Sequence, residues 1–230
     1  MKGIPIPYTL HGDSVISIVI IACFCTIVIL SSRYSKFLWR QIKFFIYSNP
    51  NDSTITETAR EVRFLLILAF IDCLMLSLAT YFYAAQYQPT LHFSGSSHRL
   101  LLLFSATFIG YFLLKWCLYS LVNITLFDAK KNLQWSKQYL LLIVLEGIFL
   151  YPVVVLHTYL DVDIRIPIIF YIIILFLNKI LSFYKCNQIF FAQKDYYLQN
   201  ILYFCALEIT PLLALSGLLK MMIDGLKIFF

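Results

Sequence analysis

The sequence has 230 residues, of which 61% are hydrophobic and only 13% are charged, and its formal net charge is +6. A soluble domain carries about 25% charged residues, so this chain has too few charges to cover a water-facing surface. The composition therefore excludes a soluble globular domain, a disordered chain and a coiled coil, and it indicates a protein dissolved in lipid.

Six apolar runs approach or reach the roughly 20 residues that a helix needs to cross the bilayer core. Backbone groups in lipid must bond within their own segment, and none of these runs shows the two-residue alternation of barrel strands. We therefore predict an all-α, polytopic membrane protein that forms a single integral membrane domain over residues 1–230. The predicted spans are 15–32, 64–84, 100–122, 139–160, 166–183 and 200–219.

The first of these runs has two interpretations, a cleaved signal peptide or a retained span. Lys2 is the only basic residue before it, no small-residue cleavage pattern is present, and a basic stretch follows at once. These features favour a retained first span.

The stretch after the first span, RYSKFLWRQIKFFIY, is basic and aromatic. Its Lys and Arg residues recur at helical spacing, which predicts an interfacial helix at about 34–47, between the first two spans, over anionic lipid headgroups. It is either a surface that docks a partner or recognises lipid, or an anchor that positions the bundle; we favour the anchor. The residues expected to contact lipid are Arg33, Lys36, Trp39, Arg40 and Lys43.

The distribution of positive charge predicts an orientation. Eleven of the 18 Lys and Arg residues lie in the connectors 33–63, 123–138 and 184–199, whereas five lie on the opposite side, termini included. The positive-inside rule then places these three connectors in the cytoplasm and both termini outside it. The same distribution argues against a nucleic-acid partner, for which the basic residues would form one face.

Five ionisable residues fall inside the predicted spans, all at similar depth in the half nearer the basic connectors: Asp72, Lys115, Glu146, Lys179 and Glu208. Each costs about 2.5–3.5 kcal/mol on insertion scales unless it is paired or hydrated. We therefore predict a buried charged network, with Lys115 near Glu146 and Lys179 near Glu208 or Asp72. Its role is either a structural link between helices, which we favour, or a proton or ion path. Lys179 also lies close enough to a span end to reach the interface instead.

Two prolines lie inside the predicted spans, close to two of these acids. Pro152 follows Glu146 by six residues, and Pro211 follows Glu208 by three. A proline removes one backbone hydrogen bond from a helix, so we predict helix kinks at Pro152 and Pro211.

A weak metal-site candidate lies at the end of the fourth span. His157 and Asp161 are four residues apart and so share one helical face. Neither a third histidine nor a metalloprotease motif accompanies them. We favour pairing of Asp161 and Asp163 with Arg165 in a solvated turn, and we expect neither a metal nor another cofactor.

Four parts of the sequence together resemble one known family. They are the basic stretch RYSKFLWRQIKFF, the short charged third connector, Gly147 with Tyr151 and Pro152, and the closing motif L-Y-x-C-A-L-E-I-x-P-L, which begins at Leu202. The family is a domain-of-unknown-function family of small polytopic inner-membrane proteins of Bacteroidota, and the resemblance covers about residues 20–220. It implies a multi-pass protein of the cytoplasmic membrane of a Gram-negative cell, with no known activity.

Three functions remain open at this point. The sequence contains no nucleophile elbow, P-loop or zinc-protease helix, which favours a non-enzymatic scaffold or accessory subunit of an envelope assembly, with a protein partner in the membrane. The alternative is a small transporter or proton-coupled permease that uses the charged network. The third is a membrane-embedded enzyme that acts on a lipid, with His157 and Asp161 at its outer surface.

Overall fold

The computed structural model describes residues 14–47, 59–87, 97–160, 165–190 and 197–229. Nearly every residue in these ranges is helical, and a π-helical turn at Cys205–Ile209 joins the last two helices. The α-helices are α1 (Ser14–Tyr47), α2 (Ala59–Tyr87), α3 (Ser97–Leu126), α4 (Ala129–Tyr159), α5 (Arg165–Phe190), α6 (Tyr197–Phe204) and α7 (Thr210–Phe229).

Among the described residues, six helical segments are long and apolar enough to cross a membrane. This confirms the predicted all-α polytopic architecture, with α6, the π-turn and α7 together supplying the sixth segment. The segments are Ser14–Lys43, Arg60–Ala85, Arg99–Leu126, Ala129–Tyr159, Arg165–Phe190 and Leu198–Gly225.

The segment 123–138, predicted as a connector between two spans, is almost entirely helical. Helix α3 continues to Leu126 and α4 begins at Ala129, so only Phe127 and Asp128 lie between them. Asp128 is extended, with φ −67° and ψ 147°, and this residue turns the chain. Hydropathy marks only the lipid-buried part of a helix, whereas the polar residues that follow Asp128 continue the helix beyond it.

The basic segment, residues 34–47, is helical as predicted and forms the second half of α1. The two halves are divided at Tyr34, whose φ of −117° and ψ of 20° are not helical. The Tyr34 ring stacks on Phe64 with centroids 4.7 Å apart, and Phe37 meets the same ring edge-on at 5.9 Å. This aromatic contact with the start of α2 holds the basic segment against the bundle. The residues predicted to contact lipid, Arg33, Lys36, Trp39, Arg40 and Lys43, are all exposed.

The core lies around α2 and α4, which pack along each other, while α3 packs on α2 and α5 packs on α4. A second, aromatic cluster lies where α3 and α5 end and α4 and α6 begin. We call this the basic end of the bundle and the opposite end the far end. The large side chains of the aromatic cluster are Tyr119, Trp135, Tyr139, Phe190 and Tyr203.

Candidate functional site

Glu208 lies on the π-turn, is only 1% exposed and accepts hydrogen bonds from four side chains. Lys115 Nζ and Lys179 Nζ both donate to Oε2, the latter at 2.8 Å. Tyr119 Oη and Ser182 Oγ donate to Oε1, at 2.5 and 3.1 Å. We call these five residues the Glu208 cluster; α3 and α5 contribute two donors each, and they fully satisfy the carboxylate.

The predicted pairing of Lys115 with Glu146 is wrong, because Lys115 contacts Glu208 instead. Similar depth cannot identify which helix faces which, and depth was the basis of that pairing. The Lys115 ammonium is buried and is further stabilised by aromatic faces. It lies over the rings of Tyr111, Tyr119 and Tyr139, at 5.8, 5.8 and 5.1 Å from their centroids.

The π-turn positions Glu208 immediately before the predicted Pro211 kink. The Thr210 backbone N–H donates to the Cys205 carbonyl, and Thr210 Oγ1 contacts the same oxygen at 3.1 Å. Pro211 follows in the first turn of α7, where a missing N–H is tolerated. π-turns are uncommon overall, but many of those that occur lie at functional sites. Pro152, by contrast, lies inside α4, which stays helical through it.

Two further acids of the charged network lie outside the Glu208 cluster. Glu146 Oε2 accepts a hydrogen bond from Asn178 Nδ2. Asp72 is fully buried, and neither of its carboxyl oxygens has a hydrogen-bond partner among the described residues. The charges of Glu146 and Lys179 act on Asp72. We call Asp72 and Glu146 the acidic pair.

Asp72 is buried where α2 and α4 come into close contact at Gly147. A Cβ atom added to Gly147 would lie 2.8 Å from Asp72 Cβ and 3.1 Å from Asp72 Cα. Real Cβ atoms do not approach another carbon so closely, so only glycine allows the two backbones to meet here. The missing side chain therefore determines how deeply Asp72 is buried.

A cavity of about 670 Å³ lies on the far-end side of the charged network, lined by α2, α3, α4, α5 and α7. Its walls are mainly aliphatic and aromatic, with rings from Phe82, Phe108 and Tyr171. This volume is within the range of small-molecule binding sites. Helix α5 packs chiefly on α4, and α7 contacts α3, so the cavity occupies the space between these packed pairs.

The floor of the cavity adjoins the charged network. Leu150, Leu175 and Leu212 line the cavity. Each lies four residues, or about 6 Å along its helix, from a charged residue. The charged neighbours are Glu146, Lys179 and Glu208, respectively. Polar side chains lie at the other end of the cavity, namely His157, Lys220 and Asp224.

His157 belongs to the wall of this cavity. Its ring meets Phe82 edge-on, with centroids 5.3 Å apart. Asp161, its predicted partner in a weak metal site, and Asp163 lie outside the described residues. Within the described ranges, no three His, Cys, Asp or Glu side chains form a group that could hold a metal ion.

Several polar residues of the site were missed from the sequence, although helical spacing offered a signal for them. Tyr119 follows Lys115 by four residues and Ser182 follows Lys179 by three, so each shares a face with a predicted network member. Lys185 had been assigned to a connector, yet it is helical and 2% exposed. Its Nζ lies 4.6 Å from the centroid of the Phe45 ring of α1.

The family profile described as a domain of unknown function, DUF4271, matches residues 16–219. The chain belongs to the DUF4271 family. This confirms the predicted membership of a domain-of-unknown-function family, while the source in Bacteroidota and the closing motif stay predictions. No curated protein and no solved structure matches the chain. The DUF4271 match contains the whole charged network.

Proposed function

We propose that this DUF4271 protein is a proton-coupled membrane carrier in which Asp72 holds an exchangeable proton. The observation that carries the proposal is the environment of Asp72, a fully buried carboxyl group with no hydrogen-bond partner among the described residues. Ionisable residues inside membrane spans commonly mark ion or proton pathways.

Charge counting supports a proton in the charged network. The network holds three carboxyl groups and two ammonium groups, so full ionisation would leave one uncompensated negative charge. Both lysines contact Glu208, whereas Glu146 has only the neutral amide of Asn178. An isolated buried charge is very unfavourable, and a carboxyl group avoids it by binding a proton.

Asp72 is the member best suited to hold that proton. A carboxylate needs donors, and Asp72 has none among the described residues, whereas Glu146 has Asn178 and Glu208 has four. The charged groups that act on Asp72 from neighbouring helices are Glu146 of α4 and Lys179 of α5. The charge of Asp72 acts in turn on Tyr139 of α4 and Tyr171 of α5.

The proposal includes an orientation. We propose that the protein lies in the inner membrane of a Gram-negative bacterium with its basic end in the cytoplasm and both termini in the periplasm. The support is the excess of Lys and Arg at the basic end. Alkaline phosphatase fused to the C-terminus is then expected to be active, and green fluorescent protein fused there is expected not to fluoresce. The reverse pattern would show that the orientation is opposite to the one proposed.

The protonation state of Asp72 tests the carrier. Infrared difference spectra between high and low pH are expected to show a protonated carboxyl band that Asp72→Asn removes and the exposed control Asp128→Asn keeps. A band that survives in Asp72→Asn, or a wild type that lacks the band, contradicts the proposal.

A second candidate, the non-enzymatic scaffold or accessory subunit, is favoured by the packing of the Glu208 cluster. Lys115 and Glu208 are each 1% exposed, and a closed, fully bonded cluster is a good structural link between helices. A scaffold would bring a stoichiometric partner through purification in mild detergent. A monodisperse preparation without a partner would count against this role.

A further inference from the structure

We infer that the cavity between α2, α3, α4, α5 and α7 binds a lipophilic organic cation, which exchanges for the proton on Asp72. This inference rests on the proposed function and names the class of substrate that the same site takes. Three observations carry it: the lining of the cavity, its position beside the charged network, and the charge of that network.

The lining favours an apolar ligand with aromatic contacts. Phe82, Tyr83, Phe108 and Tyr171 contribute rings to a wall that is otherwise mainly aliphatic. Aromatic faces attract cations whose charge is spread over apolar groups, because such cations lose little hydration when they enter. A small, strongly hydrated metal ion would find too few oxygen ligands in this lining.

The position of the cavity brings a bound charge within reach of the acidic pair. Leu150 of the cavity floor is one helical turn from Glu146, and Tyr171 of the wall lies within the fields of both Glu146 and Asp72. Electrostatic interactions in an apolar interior extend further than in water. A cation in the cavity can therefore compensate a negative charge in the network without direct contact.

The charge balance of the network determines the sign of the charge that the ligand carries. With Asp72 protonated, the network carries two negative and two positive charges, and an added cation would be uncompensated. When the cation enters, the Asp72 carboxyl group releases its proton to water, and its carboxylate balances the new positive charge. No covalent bond forms with the ligand, and one proton leaves for each cation bound. An anion would instead oppose this exchange.

The test uses tetraphenylphosphonium as the probe and the full-length protein in detergent. Isothermal titration calorimetry in two buffers of different ionisation enthalpy measures affinity and protons released, with empty micelles subtracted. We expect saturable binding and release of about one proton per cation. Asp72→Asn is expected to weaken binding about tenfold or more and to abolish proton release.

Cavity occupancy is tested with a matched pair of variants on α7. Leu215 lines the cavity, whereas Leu218 of the same helix does not and is 48% exposed. Leu215→Trp is expected to weaken tetraphenylphosphonium binding about tenfold, and Leu218→Trp to leave it unchanged. If Leu215→Trp does not accumulate, Ser216→Trp blocks the same cavity from an exposed position.

The outcomes separate this inference from the proposed function. Absence of saturable binding, while the infrared band of Asp72 is present, overturns the cation site and leaves the proton carrier standing. Binding without proton release, or binding that neither Asp72→Asn nor Leu215→Trp weakens, overturns the exchange. If the wild type itself lacks the infrared band of Asp72, the proposed function is overturned, and the exchange with it.

Discussion

The Glu208 cluster and the acidic pair lie in the same charged network, but they differ in how many donors surround a buried carboxyl group. Glu208 accepts hydrogen bonds from four donors, two of them cationic. Asp72 is buried to the same extent and accepts none from the described residues. A carboxyl group that is fully bonded in its ionised form stabilises the fold, whereas one without donors is free to change its protonation state.

In an otherwise closed bundle, a buried acid without donors is a better candidate for function than a fully bonded one. Buried ion pairs are weak evidence for a functional role, because structural pairs and functional pairs look alike. An acid left over after every pair has been assigned is more informative, since its burial needs another explanation. In this chain, Asp72 is that acid, and the predictions below compare it with Glu208 and with an exposed ion pair outside the network.

The largest effect is expected from Glu208→Gln. The change leaves the buried ammonium group of Lys115 and the partly buried one of Lys179 without the Glu208 carboxylate. Removing one partner of a buried ion pair typically destabilises a protein by about 3–5 kcal/mol. We expect the variant to accumulate poorly in membranes and to unfold at lower denaturant concentration in detergent. The exposed Asp128→Asn is the control. Wild-type stability in Glu208→Gln would show that the lysines do not depend on this carboxylate.

The next largest effect is expected from Gly147→Ala, which acts on the acidic pair through the backbone. The new methyl group would overlap Asp72 Cβ at 2.8 Å and push α2 away from α4, at a cost of about 1–3 kcal/mol. Gly110→Ala is a matched control, because nothing lies within 4 Å of the added atom. It is expected to leave stability unchanged or to raise it by up to about 1 kcal/mol. Equal unfolding midpoints for the two variants would contradict the close contact.

Asp72→Asn is expected to change stability by no more than about 1 kcal/mol, in contrast to Glu208→Gln. The neutral amide has nearly the shape of a protonated carboxyl group and removes no partner from a buried cation. The same unfolding assay measures both variants. If Asp72→Asn destabilises the protein as much as Glu208→Gln, then Asp72 is ionised and structural, and the comparison between the two acids fails.

The smallest effect is expected from Arg40→Gln, which removes an ion pair outside the charged network. Arg40 Nη2 contacts Glu61 Oε1 at 2.9 Å, but the arginine side chain is 54% exposed. Exposed pairs contribute about 0.2–1 kcal/mol. We expect a loss in that range that disappears at high salt, while Lys36→Gln, also on the exposed face, changes stability less. A loss as large as that of Glu208→Gln would mean that this contact holds the basic segment in place.

The apolar composition of the spans was enough to predict the fold class. Because charged residues are scarce within these spans, the few that occur there could be identified as members of the network. The six apolar runs correspond to six helical segments among the described residues, since lipid leaves the backbone few other choices. Helix bounds were harder to predict, because α3 and α4 extend past their apolar parts and meet at Asp128.

The partners within the network could be predicted only in part, because they depend on which helices are neighbours. Lys179 contacts Glu208, which was one of its two predicted partners. Lys115 and Glu146 have similar depth, yet Lys115 contacts Glu208 across the bundle. The isolation of Asp72 depends on Gly147 of α4, a contact that no spacing along α2 reveals. Lys185 looked like a loop cation because it follows the apolar run of α5, although it packs on an aromatic ring of α1.

The π-turn at Cys205–Ile209 has a consequence for how the last span is counted. The Thr210-to-Cys205 bond encloses one residue more than an ordinary helical turn does. A helical wheel drawn through residues 197–229 therefore goes out of phase at this point, and faces deduced for α6 do not carry over to α7. Deleting one residue of the turn would restore a single phase and rotate Glu208 relative to α7. The faces of this chain on the two sides of the turn must therefore be assigned as those of two separate helices.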